Sequence, residues 1–265
     1  MRILILFLCF VGVTIRARLV ELRLEYKGEY IYVQATNKTP YPVAVSIKLN
    51  YRHLMPEGPN PTVKNVQANS TVPVMKLKKI DPAYKIDGKY SWVPGVNDAN
   101  YDASHLYHLP YAKGKKYGVS QGYKGDATHY RWSKYSIDFM LPEGSPVHAV
   151  ESGVVARVKI DSQKGGYSPS FMQDANYIEI VHDNGVVSEY AHLEYGGTVV
   201  RTGDRVHRGQ LIGYSGNTGY SSGPHLHFAM SRPMGYQNIE TVPVKFDSVE
   251  GVVSYPKQAQ SFTAR

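Results

Sequence analysis

The chain has a single cysteine among its 265 residues, Cys9, and it lies in the first apolar stretch. Beyond that stretch there is no thiol. The chain therefore has no disulfide framework to draw on, which permits an oxidising compartment without requiring one. Tryptophan is scarce, with two residues. No helix-period run exceeds about two turns, and there are no internal repeats or low-complexity tracts. Nor is there a basic stripe or a nucleic-acid-binding fingerprint, so nucleic acid is not an expected partner. What is abundant is tyrosine, 22 residues, and glycine, 24 residues. That pairing suits strands and the turns between them.

The N-terminus reads "MRILILFLCFVGVTIRAR". Arg2 precedes an apolar run from Ile3 to Ile15, too short for the ~20 residues of a membrane span and of the length of a signal-peptide core. No A-x-A cleavage site follows, and Leu8 is too large for a lipidation site at Cys9. Residues 1–18 are therefore expected to be a signal peptide, with an uncleaved N-terminal membrane anchor as the alternative. Removing them takes Arg2, Arg16 and Arg18 from the formal charge of +8 and leaves +5. An exported cationic protein is drawn to anionic surfaces such as wall polymers or lipid headgroups. The expected location is the periplasm or cell envelope.

Residues 19–80 alternate apolar and polar positions in "VELRLEYKGEYIYVQATN", "PYPVAVSIKLNY" and "VPVMKLKKI". They predict a small β-sandwich-like domain. Residues 81–115 show little periodicity and read as a linker. Past Tyr117 short strands resume. "NYIEIVHDNGVVSEYAHL" is two strands joined by Asp183-Asn184-Gly185, a strong hairpin signal. The expected fold class is all-β: the sandwich-like domain, then an antiparallel β-sheet domain over 116–250 and a tail over 251–265.

In "GPHLHF", His225 and His227 stand at i and i+2. On a strand they share a face, roughly 7 Å apart along the chain. An isolated pair of this kind reads as chance on a solvated surface. Here it has company: His129 and Asp138 in "THYRWSKYSIDF", and His192 in "YAHL". Each lies at the end of an apolar strand, where a polar group needs a partner to offset its desolvation. A zinc ion is such a partner. Catalytic zinc takes three protein ligands from histidine and carboxylate and keeps a position open for water. Five groups suffice for three ligands and two proton-handling partners, but spacing does not say which is which.

The segments "SIDFMLPEGSPVHAVESGVV", "EYAHL" and "GDRVHRGQLIGYSGNTGYSSGPHLHF", in that order, resemble the lysostaphin/LytM-type zinc metallopeptidases, peptidase family M23. The resemblance covers roughly residues 117–235. It implies that His129, Asp138 and His227 hold Zn2+ and that His192 and His225 are the catalytic histidines. It also implies a LytM-type antiparallel sheet domain and an endopeptidase that cuts peptidoglycan peptides, stem or cross-link, by attack of zinc-bound water. One departure stands out. The usual first pair is H-x-x-x-D, and that histidine position is Lys134 here. The longer spacing resembles a subgroup of the form "GY-x-G-x-x-x-H…DF", which "GYKGDATHYRWSKYSIDF" fits.

Competing readings are weaker. A wall-binding or hydrolase-activating module without catalysis would not keep all five groups. Carrier hairpins share the pattern of "GSPVHAVESGVVARV", but no Met-Lys tip is present. A non-haem iron site uses two histidines and a carboxylate, yet leaves His192 and His225 without a role. His53, His148, His182 and His207 read as structural or solvated. His105 and His108, with Asp102, lie in the linker as weak metal or inhibitory candidates. Glu189 and Tyr190 are candidates for orienting an imidazole.

Overall fold

The computed structural model describes residues 19–125, 128–129 and 133–265. The apolar leader lies outside the described residues. Among them, no helix is long and apolar enough to cross a membrane. The chain divides into two compact units. One runs to Asp98 and adds Pro233–Asn238; the other comprises Ala99–Arg232 and Ile239–Arg265.

In the first unit, strands Val20–Lys27, Tyr30–Asn37, Ser70–Lys79 and Leu54–Glu57 form one antiparallel sheet in that spatial order. Thr62–Val66, Val43–Arg52 and Lys85–Pro94 form another. Alternation explains the first: Ile31, Val33 and Ala35 are buried, while Tyr30, Tyr32 and Gln34 between them are not. Leu22, Leu24 and Val33 from one sheet face Leu49 and Ile86 from the other across a small apolar cavity, as in a sandwich.

The segment read as a linker is not one. Its residues Lys85–Pro94 pair with Val43–Arg52 over ten positions. Asp87 and Gly88 hid the strand by breaking its alternation. Gly88 is there for a physical reason: a Cβ at this position would lie 2.6 Å from both Leu49 Cδ2 and the Lys48 carbonyl. The tail is also built in. Ser261–Thr263 adds an edge strand beside Lys116–Gln121, and Gly251–Val253 pairs with Lys245–Ser248. Three-residue strands are too short to show a period.

The second unit is organised by a nine-stranded sheet. Its core order is Gly153–Lys159, Tyr177–His182, Val187–Ala191, Leu226–Pro233, Ile137–Phe139 and Lys116–Gln121, each pair antiparallel. The hairpin at Asp183-Asn184-Gly185 is a three-residue turn, with Gly185 at φ +84. Two small ladders are parallel instead: Lys245–Ser248 with Leu106–His108, and Gly165–Gly166 with Gly219–Tyr220.

Strand Leu226–Pro233 shows how the sheet makes a site. Leu226, Phe228 and Met230 are fully buried on one face. Phe228 meets Tyr190 at 5.5 Å and Phe246 at 5.7 Å between ring centroids. The alternate position, His227, therefore faces the other way. Phe228→Ala is expected to cost about 3–5 kcal/mol of stability by loss of burial and cavity formation, read as a lower urea midpoint with an unchanged slope.

Candidate metal centre

Asp138 is the middle residue of Ile137–Phe139. Ile137 and Phe139 are completely buried, so the strand's pleat turns Asp138 to the opposite face. Directly across the ladder stands His227. Its Nδ1 lies 2.8 Å from Asp138 Oδ1.

His129 approaches the same oxygen from a loop. Its ring is fully buried, and its Nε2 sits 3.2 Å from Asp138 Oδ1. Nδ1 donates to the Gly122 carbonyl at 2.9 Å, which directs Nε2 inward. Nε2 is off the line of a hydrogen bond to the carboxylate and has no other partner among the described residues. One donor atom each from His129, Asp138 and His227 lie within 4.8 Å of one another. Two imidazoles and a carboxylate, their donor atoms this close together, are a set that could hold a metal ion.

His192 and His225 flank this cluster. Their ring centroids are 4.5 Å apart, and His192 is 5.9 Å from His227. His192 Nδ1 donates to the Thr218 carbonyl at 2.6 Å. His225 Nδ1 donates to the Gly223 carbonyl at 2.8 Å, with Ser221 Oγ at 3.2 Å. A carbonyl only accepts, so both rings carry their proton on Nδ1 when neutral and keep a lone pair on Nε2. His225 Nε2 is 3.8 Å from Asp138 Oδ1.

The sequence profile of peptidase family M23 matches residues 133–240. The chain carries a peptidase family M23 domain. The matched range takes in Asp138, His192, His225 and His227 and begins after His129, the residue whose spacing departs from the usual pattern. Over 160 residues the chain is 34% identical to glycyl-glycine endopeptidase ALE-1 of Staphylococcus capitis, covering 60% of this chain and 39% of that protein. It is 29% identical over 175 residues to peptidoglycan DD-endopeptidase ShyA of Vibrio cholerae, covering 63% of this chain and 36% of that protein. Among solved structures, the catalytic domain of the antimicrobial peptidase lysostaphin from Staphylococcus simulans is 32% identical, with a TM-score of 0.32, over 47% of this chain and 82% of that one. The chain thus spans under two fifths of the length of either full-length relative.

Charge in the M23 domain is distributed to suit a cation. Burial pushes the Asp138 carboxyl up, but the facing imidazoles of His129 and His227 outweigh it and hold the group well below the usual carboxylate range. Burial also works against a charged His227, and the Asp138 carboxylate overcomes it, so that imidazole is raised. Glu189, on the neighbouring strand, adds to the effect. His192 is held down to about 3 by burial first and by His225 and His227 next, so it is neutral at pH 7.

The remaining candidates fall outside this cluster. His182 is buried between the Ser152 carbonyl and Ser188 Oγ, a structural histidine. His148 donates to the Gly209 carbonyl. His105 meets Glu151 at 2.8 Å, and Asp102 caps Ser104; neither is in the group of donors around Asp138. Lys134 is exposed, with its Nζ over the Tyr135 ring. The expectation that Tyr190 orients an imidazole is overturned. Its buried hydroxyl accepts from Val150 N and Ser188 Oγ instead. The groups that orient the rings are main-chain carbonyls of Gly122, Thr218 and Gly223, which no side-chain pattern could reveal.

Proposed function

We propose that this chain is a zinc-dependent endopeptidase that hydrolyses peptide bonds in bacterial cell-wall peptidoglycan, with His129, Asp138 and His227 as the metal ligands. The observation that carries this reading is the convergence of those three donors, with a buried His129 nitrogen that has no hydrogen-bond partner among the described residues. When bound, zinc supplies an acidified water and a Lewis acid for the scissile carbonyl.

His192 and His225 do the proton work. His192 enters neutral, and in either ring the Nδ1 proton is committed to a carbonyl, so that Nε2 is the nitrogen left to accept a proton. Either ring can take the proton from the attacking water and deliver it to the leaving amine. Once protonated, Nε2 becomes a donor and can hydrogen-bond the oxyanion that develops on the substrate. The rings are only 4.5 Å apart and largely buried, so holding both charged at once is costly. The names of the relatives support the wall as substrate, and the cationic chain suits an anionic polymer. The site of action is then the cell envelope, reached by way of the N-terminal apolar segment.

Digestion of purified wall sacculi by the full chain, with and without a chelator, tests the reading. Mass analysis is expected to show fragments with new peptide termini, lost on chelation and restored by zinc. Cleavage that ignores the chelator, or intact sacculi after incubation with zinc-loaded protein, would reject it.

A further inference from the structure

His192 sits in an unusual backbone state. Its φ is +62, in the left-handed region, which is unfavourable for a non-glycine residue and persists only where the surroundings impose it. Two residues impose it here. Thr218 holds both ends of the turn: its carbonyl accepts from the His192 ring at 2.6 Å, and its hydroxyl donates to the Leu193 carbonyl at 2.7 Å. The same hydroxyl accepts from Asn176 N at 3.0 Å.

Asn176 completes the clamp. It is fully buried. Its main-chain carbonyl accepts from Leu193 N at 3.1 Å. Its Nδ2 reaches the carbonyls of Ser162, Leu193 and Glu194 at 2.8, 3.3 and 3.2 Å, and its Oδ1 accepts from Ser162 N at 3.0 Å. The peptide groups on either side of Leu193 are thereby pinned, while Gly216 N binds the His192 carbonyl at 2.9 Å. Every polar atom of the Asn176 side chain is spent on this turn and on the neighbouring loop.

We propose that Thr218 and Asn176 are positioning residues for His192. They lock its turn in the left-handed conformation and its ring in the Nδ1–H tautomer, which leaves Nε2 as the working nitrogen beside His225. The proposal deepens the reading above and rests on His192 handling the proton. A residue that positions a proton carrier governs the rate of the chemical step and leaves metal binding and ground-state affinity largely untouched.

The test compares Thr218→Val, which keeps the shape and loses the hydroxyl, with Thr218→Ser, which keeps the hydroxyl, in the full zinc-loaded chain acting on cross-linked wall peptides. Thr218→Val is expected to lower kcat by about 10- to 100-fold, with KM and zinc content within about twofold, and Thr218→Ser to restore most of it. Nitrogen NMR of the His192 ring should report the Nδ1–H tautomer in the parent protein and a mixture in Thr218→Val. An unchanged kcat in Thr218→Val, or a loss shared equally by zinc content, overturns the proposal. So does an Nε2–H tautomer in the parent protein, a readout that stands even if the valine variant does not fold. His192→Ala, run alongside, separates the two levels. If it is inactive while Thr218→Val is normal, only the positioning role fails; if it is fully active, the proton role of His192 fails and the clamp with it.

Discussion

His225→Ala is expected to lower kcat by about 10²–10⁴-fold while zinc content stays near one ion per chain. The reason is geometric. His225 Nε2 lies 3.8 Å from Asp138 Oδ1 and its ring 4.5 Å from His192, close enough to serve the reacting atoms. Yet it is not one of the three donors that converge within 4.8 Å. Truncation removes a proton carrier and leaves the donor set intact. Its partners are the Gly223 carbonyl and Ser221 Oγ, and Ser221 Oγ also donates to that same carbonyl. No buried charge is therefore stranded, and stability should change little. Metal analysis beside steady-state kinetics checks both halves. A variant that works at the parent rate, or one that arrives stripped of zinc, removes His225 from the proposed role.

Asp138→Ala is expected to abolish both metal retention and cleavage. Asp138 is the only anion of the three donors, and two imidazoles face its carboxylate. Without it a divalent cation would sit buried among neutral groups, a poor exchange for its hydration shell. The loss in zinc affinity should exceed the 10- to 100-fold that follows removal of a supporting partner. Titration of the stripped protein with zinc against a competing chelator measures it. Parent-like affinity in Asp138→Ala would mean that the metal, if any, is held elsewhere.

Much of this site was legible because its residues announce themselves by type and order. The H-x-H pair, Tyr-Ala-His-Leu and the aspartate before Phe139 are local words, and strand alternation says which way each one points. The structure brings together all five of the residues singled out. What could not be read divides into two kinds. Main-chain acceptors such as the Thr218 and Gly223 carbonyls have no residue signature. Asn176 stands before a strand, where an asparagine ordinarily signals a turn, so its burial was invisible. In the fold, Lys85–Pro94 escaped notice because Gly88 is dictated by a neighbouring backbone and not by its own strand. Tyr190 was misread because its nearness to His192 in sequence says nothing about its side of the sheet. Positions i and i+2 share a face only while the strand continues; this one ends at Ala191 and His192 turns at φ +62, while Tyr190 goes with Phe228 into the core.

Asp138 and His227 are 89 residues apart in the chain and stand directly opposite one another on hydrogen-bonded strands. An ion gripped by both would act as a rivet through the middle of the sheet. It would close a long loop that the polypeptide otherwise shuts at entropic expense. Loading the centre and knitting the sheet would then be one event. A chain folding without metal would lack both that rivet and its chemistry.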